Sequence, residues 1–280
     1  MKLRCRDRVL ALDRVALMGV LNVTPDSFSD GGLWLEPRAA IAHGLEMTAR
    51  GAAIIDVGGE STRPGAEPVA EDEELRRVVP VIEALAAEDV LVSIDTRKVA
   101  VARSALDAGA GIVNDTAGEA VDPAMDAIVA RADAAMIVMH SRGTPATMRA
   151  LVDYRDVVTD VRDFLLGRAR ALEAAGVARD SIGLDPGIGF AKTPEQNLVL
   201  LRRLREITAL DYPILVGTSR KSFIGKVLDV GEDQRLEGTA ATVAWSVAHG
   251  ARLVRVHDVE EMERVVRMTE AILDAGDSPG

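Results

Sequence analysis

Five polar residues, scattered along the chain, could together hold a flat nitrogen heterocycle. Asn114, Asp185 and Lys221 supply an amide, a carboxylate and an amine, and Asp95 and Asp56 add further acceptors. A carboxylate accepts two N–H bonds from a guanidine-like edge, so the set suits a ring with an amino group beside an amide. The alternative is that these side chains bind loop backbone, and for Asp56 both roles stay open.

The segment DPGIGF, residues 185–190, would bring backbone close to whatever Asp185 binds. Pro186, Gly187 and Gly189 hold the chain in such a close approach, and Phe190 could lie over a ring. The glycine pattern lacks the surroundings of a dinucleotide-binding fingerprint, so it does not indicate a dinucleotide site.

Positive residues gather late in the chain and predict a phosphate site. They are Arg220, Lys221, Arg255 and His257, and Arg63 in GGESTRPG supplies another cation. Barrel enzymes commonly bind phosphate after their seventh and eighth strands, using a helix start as well as side chains. The segment GTSRKS is not a Walker A sequence, because its lysine follows an arginine and the glycine spacing is wrong.

The four histidines have different expected roles. His257, beside Arg255, is the predicted phosphate ligand, whereas His43 and His249 lie in helical patterns and are expected to pack or face solvent. His140 ends an apolar run and could do either. No zinc site is predicted, because no ligand spacing supports one. Mg2+ needs only one or two protein oxygens plus phosphate, and Asn22 could supply such an oxygen.

Eight short apolar runs, each with a polar residue at or near its end, recur with helical patterns between them. The runs are ALMGVLN, AAIIDVG, VLVSID, GIVND, AAMIVMH, SIGLD, PILVGTS and ARLVRVH. Because they are apolar throughout, they suit parallel strands covered on both faces. The even rhythm favours a (β/α)8 TIM barrel over a doubly wound sheet, and a barrel would place all eight polar ends at one rim.

Three local patterns give further expectations. Residues 154–175 and 193–204 are predicted helices, and the second opens with a capping box. Pro80 should kink or shorten the helix predicted over 71–87. Gly-Ala pairs before three of the runs predict left-handed helix caps. These pairs begin at Gly51, Gly109 and Gly250.

Composition places the chain among globular proteins. It has 280 residues, 48% of them hydrophobic, and a net charge of −11, which argues against a nucleic-acid partner. We expect one domain over 1–280, with 1–15 forming a hairpin that closes the barrel floor and 275–280 a frayed tail. The charged N-terminus, the absence of a long apolar run and the single Cys5 lead us to expect a cytoplasmic protein without a membrane segment.

The chain resembles the bacterial dihydropteroate synthases over essentially its whole length. The matching segments are MGVLNVTPDSFSDGG, IIDVGGESTRPGA, SIDTRK, IVND, MHSRGTPATM, LDPGIGF, VGTSRKSFIG and RVHDV. The resemblance implies a barrel that joins 6-hydroxymethyl-7,8-dihydropterin pyrophosphate to p-aminobenzoate in folate synthesis and releases pyrophosphate. It also implies a Mg2+ cofactor, a homodimer, and sulfonamides that compete with p-aminobenzoate.

The resemblance also implies a role for each matching residue. The residues expected to act in catalysis are Asp95, Lys221 and Arg63. The residues expected to hold the pterin are Asp95, Asn114, Met139, Asp185 and Lys221. The expected pyrophosphate contacts are Asn22, which would also bind Mg2+, Arg63, Arg255 and His257. The expected p-aminobenzoate pocket is Thr62, Pro64, Phe190, Lys221 and Ser222. The expected lid loop includes Thr24, Asp26 and Phe28.

Three other functions fit the sequence less well. A corrinoid methyltransferase of the same barrel type would not explain STRPG or SRKS. A generic phosphate-binding barrel would not explain the paired acceptors. A non-catalytic pterin-binding paralogue should have lost Lys221, Asp95 or the two lid loops, and this chain retains them. In the expected reaction pyrophosphate leaves first, so no protein nucleophile is needed and Asp95 stabilises positive charge on the pterin.

Overall fold

Eight parallel strands form a barrel, and a two-stranded hairpin precedes them in the chain. The computed structural model describes residues 1–24, 32–61 and 66–276, and for 32–36 the backbone alone. The hairpin strands are β1 (Lys2–Cys5) and β2 (Arg8–Ala11). The barrel strands are β3 (Ala16–Asn22), β4 (Ala52–Gly58), β5 (Val92–Asp95), β6 (Ile112–Asp115), β7 (Ala135–Met139), β8 (Ile182–Asp185), β9 (Leu215–Val216) and β10 (Leu253–Val256). All eight predicted runs contain one of these strands.

The sheet closes on itself. Its strand order is β8-β7-β6-β5-β4-β3-β10-β9, and every neighbouring pair is parallel. A bridge between Leu184 of β8 and Ile214, next to β9, joins the two ends of that order. The predicted single-domain (β/α)8 barrel is therefore confirmed.

Helices follow the strands and cover the outside of the barrel. They are α1 (Gly32–Ala49), α2 (Glu71–Ala87), α3 (Val99–Asp107), α4 (Pro123–Ala132), α5 (Val157–Ala174), α6 (Pro194–Arg202), α7 (Arg205–Thr208), α8 (Ser222–Leu228), α9 (Leu236–Ala248) and α10 (Val259–Asp274). Helix α2 shows how they pack, since Val78, Val81, Ile82 and Leu85 recur on one face and are fully buried. No helix in the described ranges is long and apolar enough to cross a membrane.

Helix ends follow the signals in the sequence, with one exception. Thr193 and Gln196 form the predicted capping box at the start of α6. Gly51, Gly109 and Gly250 have φ values of 109°, 109° and 94°, so the three predicted left-handed turns into strands are confirmed. Of the two effects expected of Pro80, a kink or a shortened helix, the shortening is wrong, because α2 continues through Pro80 to Ala87.

The hairpin covers the amino-terminal end of the barrel. β1 and β2 pair antiparallel from Lys2 with Ala11 to Cys5 with Arg8. Leu3 and Leu12, both fully buried, form one apolar cluster with side chains from the strand starts. The other members are Cys5, Ala16, Met18, Ile54, Leu91, Ile112, Ala135, Ile137, Leu215 and Leu253. The floor is thus closed by hydrocarbon, which leaves the opposite rim for polar side chains.

Candidate active site

Strand register brings the polar strand ends together at the carboxyl-terminal rim. Asn22 pairs with Gly58, and Gly58 in turn pairs with Asp95. Asp95 pairs with Asn114. Further around the barrel, Asp185 lies beside Met139. Residues far apart in the sequence therefore meet in one ring because parallel strands end at the same edge.

Asp56, Asn114 and Arg255 form a buried hydrogen-bonded group inside this ring. Asp56 Oδ2 accepts from Asn114 Nδ2 at 3.0 Å and from Arg255 Nε at 2.6 Å. Since a carboxylate can only accept, it fixes the Asn114 amide with its oxygen turned away. Asn114 Oδ1 and Asp56 Oδ1 are buried without a protein donor in the described part of the chain. Unpaired buried acceptors are costly, and a ligand with N–H groups would satisfy them.

Asp95 shares the same arginine. Its Oδ2 accepts from Arg255 Nη2 at 2.8 Å, and its Oδ1 accepts from Thr116 Oγ1 at 3.3 Å. Burial raises the pKa of Asp95 to about 7, with Arg255 opposing the rise and Asp56 adding to it. Asp95 is thus protonated more readily than an ordinary aspartate, and its side chain lies between a cation and a second carboxylate of the ring.

Asp185 is held by the loop that follows it. Its Oδ1 accepts from the N–H of Gly187 at 2.7 Å, and no described residue donates to its second oxygen. Burial raises its pKa. Gly187 has a φ of 66°, and a Cβ there would lie 1.9 Å from the carbonyl oxygen of His140, so only glycine fits. The predicted close approach of backbone at this carboxylate is present, with the end of β7 as the neighbour.

Lys221 stands at the start of α8 and reaches the same loop. Its ammonium lies 3.9 Å from the centroid of the Phe190 ring and donates to the carbonyl oxygen of Ile188. Burial lowers the pKa of Lys221 to about 7, and Asp185 opposes that change. Two of the sequence-predicted site residues, Lys221 and Phe190, are therefore in direct contact.

The residues of the predicted phosphate cluster bond to three different sets of partners. His257 is tied to the end of the seventh barrel strand, because Ser219 Oγ lies 3.0 Å from its Nδ1 and accepts from its backbone N–H at 3.2 Å. Arg220 instead turns to Asp258, which accepts from its Nε at 3.0 Å. Arg255 extends across the barrel mouth to two carboxylates of the ring. These cationic side chains therefore have different hydrogen-bond partners.

Several of the predicted site residues lie outside the described ranges. Thr62, Arg63, Pro64, Asp26 and Phe28 are outside the described residues, as are 277–280 of the predicted tail. Of the remaining predicted set, Ser222 is exposed, Met139 is buried and Thr24 is half-buried at the rim.

The side chains of the other three histidines do not point into the mouth of the barrel. His43 lies on α1 with its Nδ1 3.5 Å from Glu46, and His249 stacks on Trp245 with ring centroids 4.1 Å apart. His140 is 1% exposed and packs against Phe164 at 5.0 Å between centroids. Its side chain therefore faces the helical layer rather than the mouth of the barrel.

The residues present fit a magnesium ion at Asn22. Within the described ranges no group of three or more His, Cys, Asp and Glu side chains could hold a metal. A Cβ at Gly58 would lie 3.7 Å from Asn22 Oδ1 and 3.9 Å from Asp95 Oδ2, so both oxygens border the space beside this glycine. An amide oxygen of this kind suits Mg2+, which keeps several waters and needs only one or two protein oxygens plus phosphate.

Two groups outside the predicted set of site residues support the site. Lys192, 8% exposed, donates to the loop after β8 from beneath, and Ser219 holds His257. A lysine directly after DPGIGFA was the available signal for the first. A cavity of about 100 Å³ opens beside Asp95 and Phe190, also lined by Thr116 and Arg97. It provides room next to the buried polar group.

Comparison with known proteins gives a consistent match. The family model for pterin binding enzymes matches residues 18–257, from β3 through His257. A dihydropteroate synthase from Synechocystis sp. is 49% identical over 261 residues, 92% of this chain and 90% of that protein.

Solved structures match the fold as closely. The Xanthomonas albilineans dihydropteroate synthase with 4-aminobenzoic acid has a TM-score of 0.92 at 41% identity, covering 98% of this chain and 99% of that one. The Thermus thermophilus dihydropteroate synthase in complex with 6HMPPP has a TM-score of 0.85 at 45% identity, covering 97% and 100%. The similarity therefore extends over the barrel and its rim.

Proposed function

The chain belongs to the dihydropteroate synthases among the pterin-binding enzymes, and we propose that Asp185, Asn114 and Asp95 bind its pterin substrate. The enzyme condenses 6-hydroxymethyl-7,8-dihydropterin pyrophosphate with p-aminobenzoate to give 7,8-dihydropteroate and pyrophosphate. The assignment of residues rests on one observation. Asn114 Oδ1 and Asp56 Oδ1 are buried acceptors that no described protein group satisfies.

The edge of the pterin ring carries N–H donors that can bond to buried acceptor oxygens of the rim. Its amino group and adjoining ring N–H can bond in parallel to one carboxylate, and the second oxygen of Asp185 accepts from no described residue. Asn114 Oδ1 can take a further N–H, because Asp56 holds the amide in that orientation. Lys221 and Met139 would complete the set, the lysine at the Asp185 side and the methionine through apolar packing.

Pyrophosphate would lie where the cations face the rim. Arg255 and His257 belong to β10 and the residue after it, and Ser219 fixes the orientation of the His257 ring. Arg63 is proposed as a third contact on the strength of the family motif. Asn22 would hold Mg2+ through its amide oxygen, and the ion, when bound, supplies positive charge that stabilises departing pyrophosphate.

p-Aminobenzoate would bind against Phe190 and Lys221. The aromatic ring of Phe190 offers a stacking surface, and the Lys221 ammonium directly above it offers positive charge for the carboxylate. Ser222 follows Lys221 at the start of α8 and would add a hydroxyl contact. Thr62 and Pro64 are proposed from the family motif as the other wall, with Thr24, Asp26 and Phe28 in a covering loop.

The chain then needs no nucleophile of its own. Loss of pyrophosphate leaves positive charge on the pterin methylene carbon, which the amine nitrogen of p-aminobenzoate attacks, and that nitrogen afterwards loses a proton. Asp95 is anionic above about pH 7 and would stabilise the positive charge, together with Asp185 at the ring edge. Lys221 and Arg63 would act in the same step through the charges they place around the substrates.

The test compares wild type with Asn114→Ala. Purified enzyme is given Mg2+ and the pterin pyrophosphate, with and without p-aminobenzoate, while pyrophosphate and dihydropteroate are followed. We expect both products only when both substrates are present, and about tenfold higher KM for the pterin in the variant. Pterin binding without turnover would contradict catalysis, and an unchanged KM would remove Asn114 from the pterin site.

We also propose that two chains associate through α6, α8 and α9. Large apolar side chains on these helices are more than a third exposed. They are Leu198 and Val199 on α6, Val227 and Leu228 on α8, and Leu236 and Trp245 on α9. Such a patch is typical of an interface between subunits. Light scattering should give twice the chain mass, and a monomer at micromolar concentration would contradict the proposal.

The reaction is proposed to take place in the cytoplasm. Cys5, the single cysteine of the sequence, is a buried free thiol, and burial raises its pKa to about 12. A protein that uses no disulfide suits a reducing compartment. Cell fractionation with antibody detection would test this location.

A further inference from the structure

Lys192 lies beneath the loop that carries two proposed substrate contacts. It follows DPGIGFA and precedes the cap of α6, and its side chain is 8% exposed. Lysine is rarely buried to this extent unless its nitrogen is fully bonded. The position of its ammonium group therefore demands a structural or functional reason.

The Lys192 nitrogen joins three points of the rim. Its Nζ donates to the carbonyl oxygens of Gly187 at 2.9 Å and Phe190 at 2.8 Å, the two ends of the tight loop. It also lies 3.0 Å from His140 Nδ1 and 3.3 Å from the carbonyl oxygen of His140, after β7. One side chain thus fastens the loop after β8 to the end of the neighbouring strand.

His140, the partner of Lys192 at the end of β7, is itself held in place by neighbouring side chains. The His140 ring packs against Phe164 and Tyr154, with centroids 5.0 Å and 5.9 Å away. The Tyr154 hydroxyl donates to the carbonyl oxygen of Ala191 at 2.9 Å, next to Lys192 in the chain. Burial lowers the pKa of His140 to about 2, so the ring is neutral. The loop is therefore braced against a rigid, buried support.

Lys192 has no donor left for a substrate. A charged ammonium has three N–H bonds, which the two loop carbonyls and His140 take up. Burial lowers the pKa of Lys192 well below its usual range, and a neutral amine would donate to the two carbonyls and accept from the Nδ1–H of His140. In both protonation states its bonding partners are protein atoms, so any role in the reaction is indirect.

The indirect effect would pass through Gly187. The carbonyl of this residue accepts from Lys192, and its N–H donates to Asp185 Oδ1 at 2.7 Å. A shift of Gly187 would rotate the carboxylate and move the Phe190 ring under Lys221. We propose that Lys192 is a positioning residue that sets the Asp185 carboxylate for the pterin and the Phe190 ring for p-aminobenzoate. This inference rests on the proposed role of Asp185.

A double-mutant cycle between Lys192 and Asp185 tests the inference. Calorimetry would measure the Kd of the pterin pyrophosphate, with Mg2+, for wild type, Lys192→Met, Asp185→Asn and the double variant. We expect Lys192→Met to raise Kd about tenfold in the wild-type background and about twofold or less in the Asp185→Asn background. Lys2→Met, at the opposite end of the barrel, is the matched control and should leave Kd unchanged.

Kinetics separate positioning from a loss of folded protein. Lys192→Met should raise the KM for both substrates while kcat at saturation falls less than about threefold. A purely structural role would lower the unfolding temperature and leave both KM values of the folded enzyme unchanged. Lys192→Gln, which retains an N–H donor, serves as the second variant and should recover part of the lost affinity.

The outcomes distinguish a failure of the positioning role of Lys192 from a failure of the proposed pterin site. If Asp185→Asn raises Kd but Lys192→Met does not, the pterin site stands and the positioning role is wrong. Equal effects of Lys192→Met in both backgrounds would also overturn it, because the lysine would then act independently of Asp185. If Asp185→Asn has no effect, the proposed pterin site itself fails. If neither lysine variant folds, Lys192 is a folding residue and the inference falls.

Discussion

The two ends of the barrel are equally buried but chemically opposite. At the floor, Leu3, Leu12 and Met18 have 0% exposure and belong to one apolar cluster. At the rim, Asp56 is also 0% exposed and Asn114 2%, yet both are polar and each keeps one acceptor without a described protein donor. The same depth of burial thus stabilises the fold at one end and destabilises it at the other, where ligand binding can offset the cost.

The two ends of the barrel also differ in where their charged side chains lie. Around the rim, Asp56, Asp95 and Asp185 face Arg255 and Lys221, and burial raises the pKa of Asp95 while it lowers that of Lys221, each to about 7. At the floor the ion pairs lie on the outside, as between Lys2 and Asp180 at 3.1 Å. Substitutions at the two ends should therefore separate function from stability.

The largest expected effect on function comes from Asp185→Asn. The amide would present an N–H toward the pterin, where two donors already need acceptors, so one hydrogen bond is replaced by repulsion between two donors. We expect affinity for the pterin pyrophosphate to fall about 100-fold while the protein stays folded. Calorimetry and circular dichroism would check both parts, and unchanged binding would remove Asp185 from the site.

A smaller effect is expected from protonation of Asp95. Because burial raises its pKa to about 7, the group is increasingly neutral at lower pH, and kcat/KM for the pterin should fall about tenfold per pH unit below that value. Asp95→Asn should be slow at every pH and lack this acidic limb. A variant that kept the limb would assign it to another group.

Stability should change in the opposite direction to activity at Asp95. A carboxyl whose folded pKa is raised from 3.8 stabilises the fold most below pH 3.8, and that contribution is lost as pH rises through about 7. The difference in unfolding free energy between wild type and Asp95→Asn should therefore shift against wild type between pH 4 and 8.

The smallest effect on catalysis is expected at the floor. Leu3→Ala removes a fully buried side chain from the apolar cluster and should cost about 2–5 kcal/mol of unfolding free energy. Thermal denaturation would measure this loss. In the folded variant kcat and both KM values should stay within about twofold of wild type. Altered KM values in fully folded Leu3→Ala would mean that the two ends of the barrel are coupled.

The fold was predictable because its signals are local. Each barrel strand is a short apolar run, and the turns before β4, β6 and β10 depend on Gly51, Gly109 and Gly250, whose left-handed conformations the structure contains. The rim residues were visible as polar strand ends. Pro80 misled the prediction because packing of the surrounding helix face outweighs one missing hydrogen bond.

Partners across the barrel were not predictable. Arg255 remains the proposed pyrophosphate contact, but the sequence did not show that its guanidinium also bonds Asp56 and Asp95, 199 and 160 residues away in the chain. The bonding of Lys192 likewise depends on His140, 52 residues earlier. A sequence shows that such residues are polar, but only the closed barrel shows which of them touch.

The most direct test of the central claim is a crystal structure with the pterin pyrophosphate and Mg2+ bound. We predict ring nitrogens about 3 Å from the second oxygen of Asp185 and from Asn114 Oδ1, with Asp95 beside the ring. A pterin bound elsewhere, with those two oxygens still unpaired or bonded only to water, would contradict the assignment of the rim acceptors.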